Sequence, residues 1–372
     1  MQVDIITELQ ELDSLEPAWN ELLGRSGSRN FFLTFEWFRT CWSHLADGGR
    51  MCVAVAGRAG KVLGIAPLRI KFKEGFRHLG FMGPADYQDF IIAPECRSQT
   101  LETILQALQY HPGWDIFELA RIPSDAPNFL QLQLAASKIK GMHEIRPTYI
   151  APYIRIETSW DAYWRSLSKN LRSDSRRRLK KLEAEMGGVS FRILDDREEI
   201  STNLNVLMNQ HIARRDARDY SLFRSPAYRS FYTALAEAFS ITGALSIAAM
   251  QVGGRTAALS LGFTYGGKYL DLAPSFDEAL AKYSIGRLLM AYTIEQSFKA
   301  NLDEFDLGAG AELYKFEWKP KIRQLYTVTL CPVRPRSRLA HFWFNHIRPK
   351  LDANVHARAL RFALLRAGIG KR

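Results

Sequence analysis

The spacing of apolar residues changes period repeatedly along the chain, and each change marks an element. VDIIT (3–7) reads as a strand, and residues 9–23 carry apolar positions at helical intervals. Phe35, Phe38, Trp42 and Leu45 fall on one face of a second helix. CVAVAGRAGKVLGIAPLRI then sets two apolar strands around a turn at 57–60, with Arg58 and Lys61 at its tip. LGFMGPADYQDFII continues the strand-rich pattern, broken by Gly-Pro before an acidic cluster. The pattern next predicts a helix over 100–109, a strand over 114–119 and a helix over 128–138. A strand near 153–156 is expected to close this half.

The same order then returns. Trp160, Tyr163, Trp164, Leu167 and Leu171 stand at i, i+3, i+4, i+7 and i+11, the spacing of one helical face. A basic stretch, the strand VSFRIL and helices around 199–217 and 225–240 follow. A meander comes next, ALSIAAMQV, RTAALSLGFTY and KYLDLAP, joined by Gly-Gly turns. Residues 283–298 form a helix with Ile285, Leu288, Leu289 and Tyr292 on one face; strand EFDLG, a short helical segment and strand QLYTVTL end the half. No repeat is visible residue by residue, so the duplication is one of element order. The class is α+β, with mixed, mostly antiparallel sheets packed against helices. At 372 residues the chain exceeds what one core usually supports, so two domains are expected, at 1–157 and 158–333, followed by a tail at 334–372.

The net charge of +11 suggests nucleic acid or membrane until it is located: the tail holds ten Lys/Arg against Asp352, so the remainder carries only about +2. Within the tail, Arg alternates with Phe, Trp and Leu at roughly helical spacing, interrupted by Pro349. A basic amphipathic segment of this kind suits an anionic membrane surface or a protein partner; docking on its own body and nucleic-acid binding stay open. Four scattered cysteines without CxxC spacing argue against a disulfide framework or zinc ribbon. The acidic, amphipathic N-terminus is unlike a signal peptide, and no 18-residue uncharged apolar run occurs. A cytoplasmic protein, or one peripheral to the inner face of the membrane, is expected. HExxH, GxSxG and Walker-type motifs are absent, and no His/Cys grouping has metal spacing, so no metal is expected.

Several pieces together resemble the CelD-like acetyltransferases, a bacterial branch of the GNAT superfamily related in fold to the FemAB aminoacyltransferases. They are NFFLTFEWFRTCW (30–42), GIAPLRI (64–70), LGFMGPADYQDFII (79–92), WDAYWRSLSKNLRSDSRRRLKKLE (160–183), the meander through Leu272, KYSIGRLLMAYTIEQ (282–296) and FDLGAGAELYKFEW (305–318). The resemblance covers roughly 1–330. It implies tandem GNAT-like (FemAB-like) domains, with acetyl-CoA or another acyl-CoA as co-substrate and an amine or hydroxyl acceptor. It also suggests a small molecule or a glycan in polysaccharide or cell-envelope biosynthesis. A GNAT fold binds the CoA pyrophosphate on backbone N–H groups at a helix N-terminus. The corresponding residues are Ser284, Ile285, Gly286, Arg287 and Leu288, although this loop has fewer glycines than is usual in the superfamily. Family position makes Tyr314 the candidate acid for the leaving thiolate, with Lys315 a candidate phosphate or acceptor ligand.

In PADYQDF, Asp86 and Asp89 are candidate bases and Tyr87 a candidate acceptor contact; turn formation explains the same aspartates. Lys169, Arg172, Arg176 and Lys180 share a helix face, a solvated surface unless Arg172 and Arg176 bind an anionic substrate or RNA. Two alternatives remain, a FemAB-type transfer from aminoacyl-tRNA and a non-catalytic scaffold in a membrane-associated assembly.

Overall fold

The computed structural model describes residues 1–216 and 221–348. The first half runs β1 (Gln2–Ile6), α1 (Leu9–Arg25), α2 (Phe35–Leu45), β2 (Arg50–Arg58), β3 (Lys61–Lys73), β4 (Phe76–Phe81) and β5 (Ile91–Ile92). It continues through α3 (Arg97–Tyr110), β6 (Ile116–Pro123), α4 (Phe129–Ser137) and β7 (Gly141–Arg155). The second runs α5 (Trp160–Ser166), α6 (Lys169–Met186), β8 (Val189–Leu194), α7 (Arg197–Asp216), α8 (Pro226–Ile241), β9 (Leu245–Val252), β10 (Arg255–Tyr265) and β11 (Lys268–Phe276). It ends with α9 (Ile285–Lys299), β12 (Glu304–Asp306), α10 (Leu313–Phe316), β13 (Lys321–Pro332) and α11 (Pro335–Phe342).

Thirteen strands form one sheet in the order β1-β2-β3-β4-β6-β13-β7-β12-β11-β10-β9-β8, with β5 attached to β3. The order is nearly symmetric about its centre. Each half builds an antiparallel meander whose last strand pairs in parallel with the next, β4 with β6 and β11 with β12. Each then gives its final strand to the other half: β7 pairs antiparallel with β12, and β13 with β6. The strand expected near 153–156 is therefore corrected. It is the end of a fifteen-residue strand that completes the second half's sheet and does not close the first. Together with the element order, this exchange gives the chain a tandem GNAT-like α+β fold.

The aromatic run NFFLTFEWF explains how the halves adhere. Asn30 and Thr34 side chains accept from Phe32 and Trp37 N–H groups, starting a short turn and then α2. The turn delivers Phe31 onto Phe263 of β10, with ring centroids 4.3 Å apart, and α2 brings Trp37 to 5.3 Å from Phe231 of α8. These residues are almost wholly buried in one core that draws on both halves. Burying an aromatic side chain contributes about 1.5–3 kcal/mol, so this seam holds the halves as one body.

The expected single helix over 160–171 is two helices. Ser168 caps α6 by accepting from the Leu171 N–H at 3.2 Å, and Leu167 leaves the helical region. Trp160, Tyr163, Trp164, Leu167 and Leu171 nonetheless share a core with Phe298 and Trp318. The first part of the tail docks on the chain's own body, one of the outcomes its sequence left open. Residues 335–348 lie on the first half, where Ala340, Trp343 and Phe344 pack with Phe76 and Ile116. Arg334 donates to the Gln109 and Trp114 carbonyls, and Arg336 to Asp115. The rest of the tail, 349–372, lies outside the described residues. Among the described residues no helix is long and apolar enough to cross a membrane.

Candidate active site

Strands β11 and β12 pair over only three residues, from Lys268–Glu304 to Leu270–Asp306. Beyond that point the chain after Asp306 turns away from β11, whose register with β10 slips between Leu261–Ala273 and Gly262–Asp271, and residues 271–274 line a cavity. Gly308 makes the turn at φ +73°, and a Cβ there would lie 2.9 Å from Asp86 Oδ2, so glycine is required on both counts. The parted strands open into a cleft of about 990 Å³ between the halves. Its opposite wall comes from β3, β4, β6 and the loop after β4. The corresponding parting in the first half is bridged, because the Gln88 N–H donates to the Arg121 carbonyl and Asp89 and Phe90 fill the space behind.

Asp271 sits at this opening, 7% exposed, and accepts a bond from the Ser260 hydroxyl. Burial pushes its carboxyl up to about 6 against the opposing pull of Ser260 and Lys315. Lys315 is 4% exposed; its ammonium donates to the Gly308 and Ala309 carbonyls at 3.1 and 3.2 Å and pairs with Glu312 at 2.9 Å. It thereby fixes the turn that parts the strands. Tyr314 also lines the cleft. Desolvation raises its phenol pKa, helped by Asp271 and Glu312 and opposed by Arg214 and Arg215. A phenol so held stays protonated and remains able to donate.

Asp86 reaches the same cleft. Arg121 Nη1 donates to Oδ1 at 2.7 Å and the Ala309 N–H to Oδ2 at 3.1 Å. Burial raises this carboxyl and Arg121 opposes the shift. With both oxygens engaged, Asp86 ties the loop after β4 to the loop after β12.

The structure therefore brings together Asp86, Tyr314 and Lys315 among the residues expected from sequence. It puts Tyr87 and Asp89 elsewhere, beside a smaller cavity of about 160 Å³. There the Tyr87 hydroxyl donates to Asp306 Oδ1 at 2.6 Å. Asp89, raised by burial to about 7, accepts from the Phe90 N–H and from Asn128 Nδ2. Arg172 and Arg176 lie on α6 and do not line the cleft; Arg172 Nε donates to the Leu167 carbonyl at 3.3 Å.

At the start of α9, Ser284 is left-handed with φ +55°, and the Arg287 and Leu288 N–H groups bond to its carbonyl. Gly286 faces the Phe276 ring, which a Cβ would meet at 3.0 Å. Arg287 bridges Asp174 at 2.9 Å and Glu317 at 3.0 Å. This helix start offers N–H groups for an anion, but any anion there meets two carboxylates already held by its arginine.

Sequence reasoning missed most of the cleft. Arg69, Lys71 and Lys73 line it from β3 and Arg121 from β6; His211, Arg214 and Arg215, a polar cluster visible in the sequence but read there as structural, line it from the end of α7. The signal in β3 was available: RIKFK alternates cation and apolar residue, so one strand face is basic. The signal for Asp271 was a lone acid inside the apolar strand KYLDLAP. Burial and Arg214 and Arg215 lower His211 to about 4, so it is neutral near pH 7. Its Nδ1 lies 2.8 Å from the Ser221 hydroxyl. Among the described residues no cluster of His, Cys, Asp or Glu is placed to hold a metal.

The parted strands place a buried carboxylate and a phenol in one cleft between the halves. Residues 169–316, within the second half, match the family described as Acetyltransferase (GNAT) domain. Across almost its whole length the chain is similar in structure to FemX, with TM-score 0.62, 12% identity, and 91% of this chain and 99% of that one covered. It is also similar to the C-terminal domain of a putative lysylphosphatidylglycerol synthetase from Agrobacterium fabrum, with TM-score 0.54, 12% identity, and coverage of 89% and 97%. L-PGS from Bacillus licheniformis is similar at TM-score 0.54 and 13% identity, with coverage of 88% and 93%. Identities this low establish a shared fold. No curated protein matches the sequence.

Proposed function

We propose that the chain transfers an acyl group, in the simplest case acetyl, from CoA to an amine or hydroxyl acceptor held in the cleft. The observation that carries this is Asp271: a carboxylate raised to about 6 at the parting of β11 and β12, beside the Tyr314 phenol. In this reading the thioester lies along β11 beyond its pairing with β12. Asp271 accepts the proton of the attacking nitrogen or oxygen as the new bond to the carbonyl carbon forms. Tyr314 donates its proton to the thiolate as the C–S bond breaks. A base near pKa 6 is largely ionised at neutral pH while retaining useful basicity. Asp86 and Lys315 hold the two loops that frame the reacting groups. The resemblance to CelD-like proteins favours a cytoplasmic enzyme with a glycan-type acceptor.

One observation favours a second reading, transfer from aminoacyl-tRNA. Arg287, expected to receive the CoA pyrophosphate, is already bridged to Asp174 and Glu317, while α6 of the same half presents a basic face. Calorimetric titration with acetyl-CoA, combined with thiol release in the presence of amine and hydroxyl acceptors, separates the two. Micromolar binding, and a Tyr314→Phe variant that keeps this affinity but transfers about 10²-fold more slowly, support the acyl-CoA reading. Failure of the folded chain to bind acetyl-CoA, with salt-steep binding of aminoacyl-tRNA, would replace it by the second.

A further inference from the structure

Strand β3 carries chemistry that the transfer step does not use. In LRIKFK the odd and even positions face opposite sides. Ile70 enters the first half's core at 5% exposure, whereas Arg69, Lys71 and Lys73 line the cleft, spaced about 7 Å apart along the strand. The cleft lining as a whole holds seven Lys or Arg against four Asp or Glu. Arg121 pairs with Asp86, Lys315 with Glu312, and Lys71 with Asp47 on the rim, and Lys73, Arg214 and Arg215 also have partners.

Arg69 differs. It is half-buried, and its hydrogen bond is from Nη1 to the Leu45 carbonyl at 3.3 Å, with no salt bridge among the described residues. Burial is the main influence on its pKa and lowers it, with Cys41, Tyr228 and Asp47 opposing. A guanidinium withdrawn from water without a paired carboxylate is costly unless an anion meets it, and five N–H donors in a planar fork suit an oxyanion. Tyr228 of α8 lines the same end of the cleft.

We propose that Arg69, Lys71 and Lys73 form an anion subsite for the acceptor, and that the acceptor carries a phosphate group. A single carboxylate would be satisfied by Arg69 alone. A row of cations at strand spacing suits a group of two or more negative charges, the charge state of a phosphate monoester or a diphosphate. Describing this ligand as the acceptor rests on the acyl-transfer reading; the anion site itself does not.

The test is calorimetry on the full chain with sodium pyrophosphate, D-glucuronate and acetyl-CoA as separate probes, on wild type and on Arg69→Gln, Arg69→Lys and Lys71→Gln. The expected result is pyrophosphate binding weakened at least tenfold in Arg69→Gln and severalfold in Lys71→Gln, partly restored in Arg69→Lys, with acetyl-CoA affinity unchanged throughout. Sedimentation with phosphatidylglycerol vesicles separates the sources of the phosphate. Arg69-dependent capture assigns it to a lipid headgroup, and pyrophosphate binding without capture assigns it to a soluble acceptor. Pyrophosphate binding that is absent, or that ignores Arg69, overturns the subsite. Arg69-dependent binding of glucuronate in its place overturns the phosphate assignment. Loss of acetyl-CoA together with pyrophosphate in Arg69→Gln would give the row to the donor. Wild type that binds pyrophosphate but not acetyl-CoA refutes the donor reading and leaves the subsite standing.

Discussion

Replacing Asp271 by asparagine separates a catalytic carboxylate from a structural one through the sign of its effect on stability. The side chain is buried, and its pKa stands at about 6 in the fold against an ordinary 3.8. The fold therefore prefers the protonated acid, and ionisation costs stability. Below pH 3.8 both states are protonated and the cost is absent. Between pH 3.8 and 6 the unfolded chain ionises while the folded one does not, and the cost grows. Above 6 both are ionised and it is constant. The cost so defined is about 0.5 kcal/mol at pH 4, about 1.5 at pH 5 and about 3 at pH 7 and above. Asparagine keeps an oxygen for the Ser260 hydroxyl and carries no charge to bury. Asp271→Asn should therefore be more stable than wild type by an amount that rises with pH towards about 3 kcal/mol, while transfer activity falls. The assay is urea denaturation of both proteins at pH 4, 5, 7 and 8, since other titrating groups cancel in the difference. Wild-type transfer rate should in parallel rise with pH through about 6 and then level off. A variant less stable than wild type at pH 8, or a difference that does not change with pH, would refute the argument that burial of a carboxylate sets this pKa.

Arg323 of β13 lies 5% exposed between Glu304 at 2.9 Å, Asp306 at 3.4 Å and Asp125 at 2.8 Å. Arg323→Met leaves the buried carboxylates of Glu304 and Asp306 without their cation and should destabilise the chain by about 3–5 kcal/mol in urea denaturation, the cost of breaking a buried pair from one side. Gly308→Ala should cost about 1–2 kcal/mol from its left-handed backbone alone. It should also lower transfer activity by forcing Asp86 away from the Ala309 N–H, to be read by thermal denaturation and thiol release.

Local elements were legible because a helix repeats every 3.6 residues and a strand every 2, and both periods are written in neighbouring positions. Residues 35–45 were read as the helix that the fold contains, and VSFRIL as its strand. The duplicated order, and with it the tandem fold, followed from those elements in sequence. Ser168 shows the limit even locally, since a capping hydroxyl broke a helix whose apolar spacing ran on unbroken through Leu167 and Leu171.

What the tertiary structure decided rests on contacts without period. The exchange of β7 and β13 between halves pairs strands far apart in the chain, and no spacing rule reports it. Asp86 meets Ala309 across 223 residues and Tyr87 meets Asp306 across 219. Three positions of PADYQDF thus have different surroundings: Asp86 faces the cleft, while Tyr87 and, two residues on, Asp89 are enclosed near another cavity. Their residue types gave chemistry, but only the fold assigned each one a solvent, a partner and a pKa. The basic row of β3 lies between these cases. Its alternation is a property of the sequence, and that it faces a cleft opposite Asp271 is a property of the packed sheet.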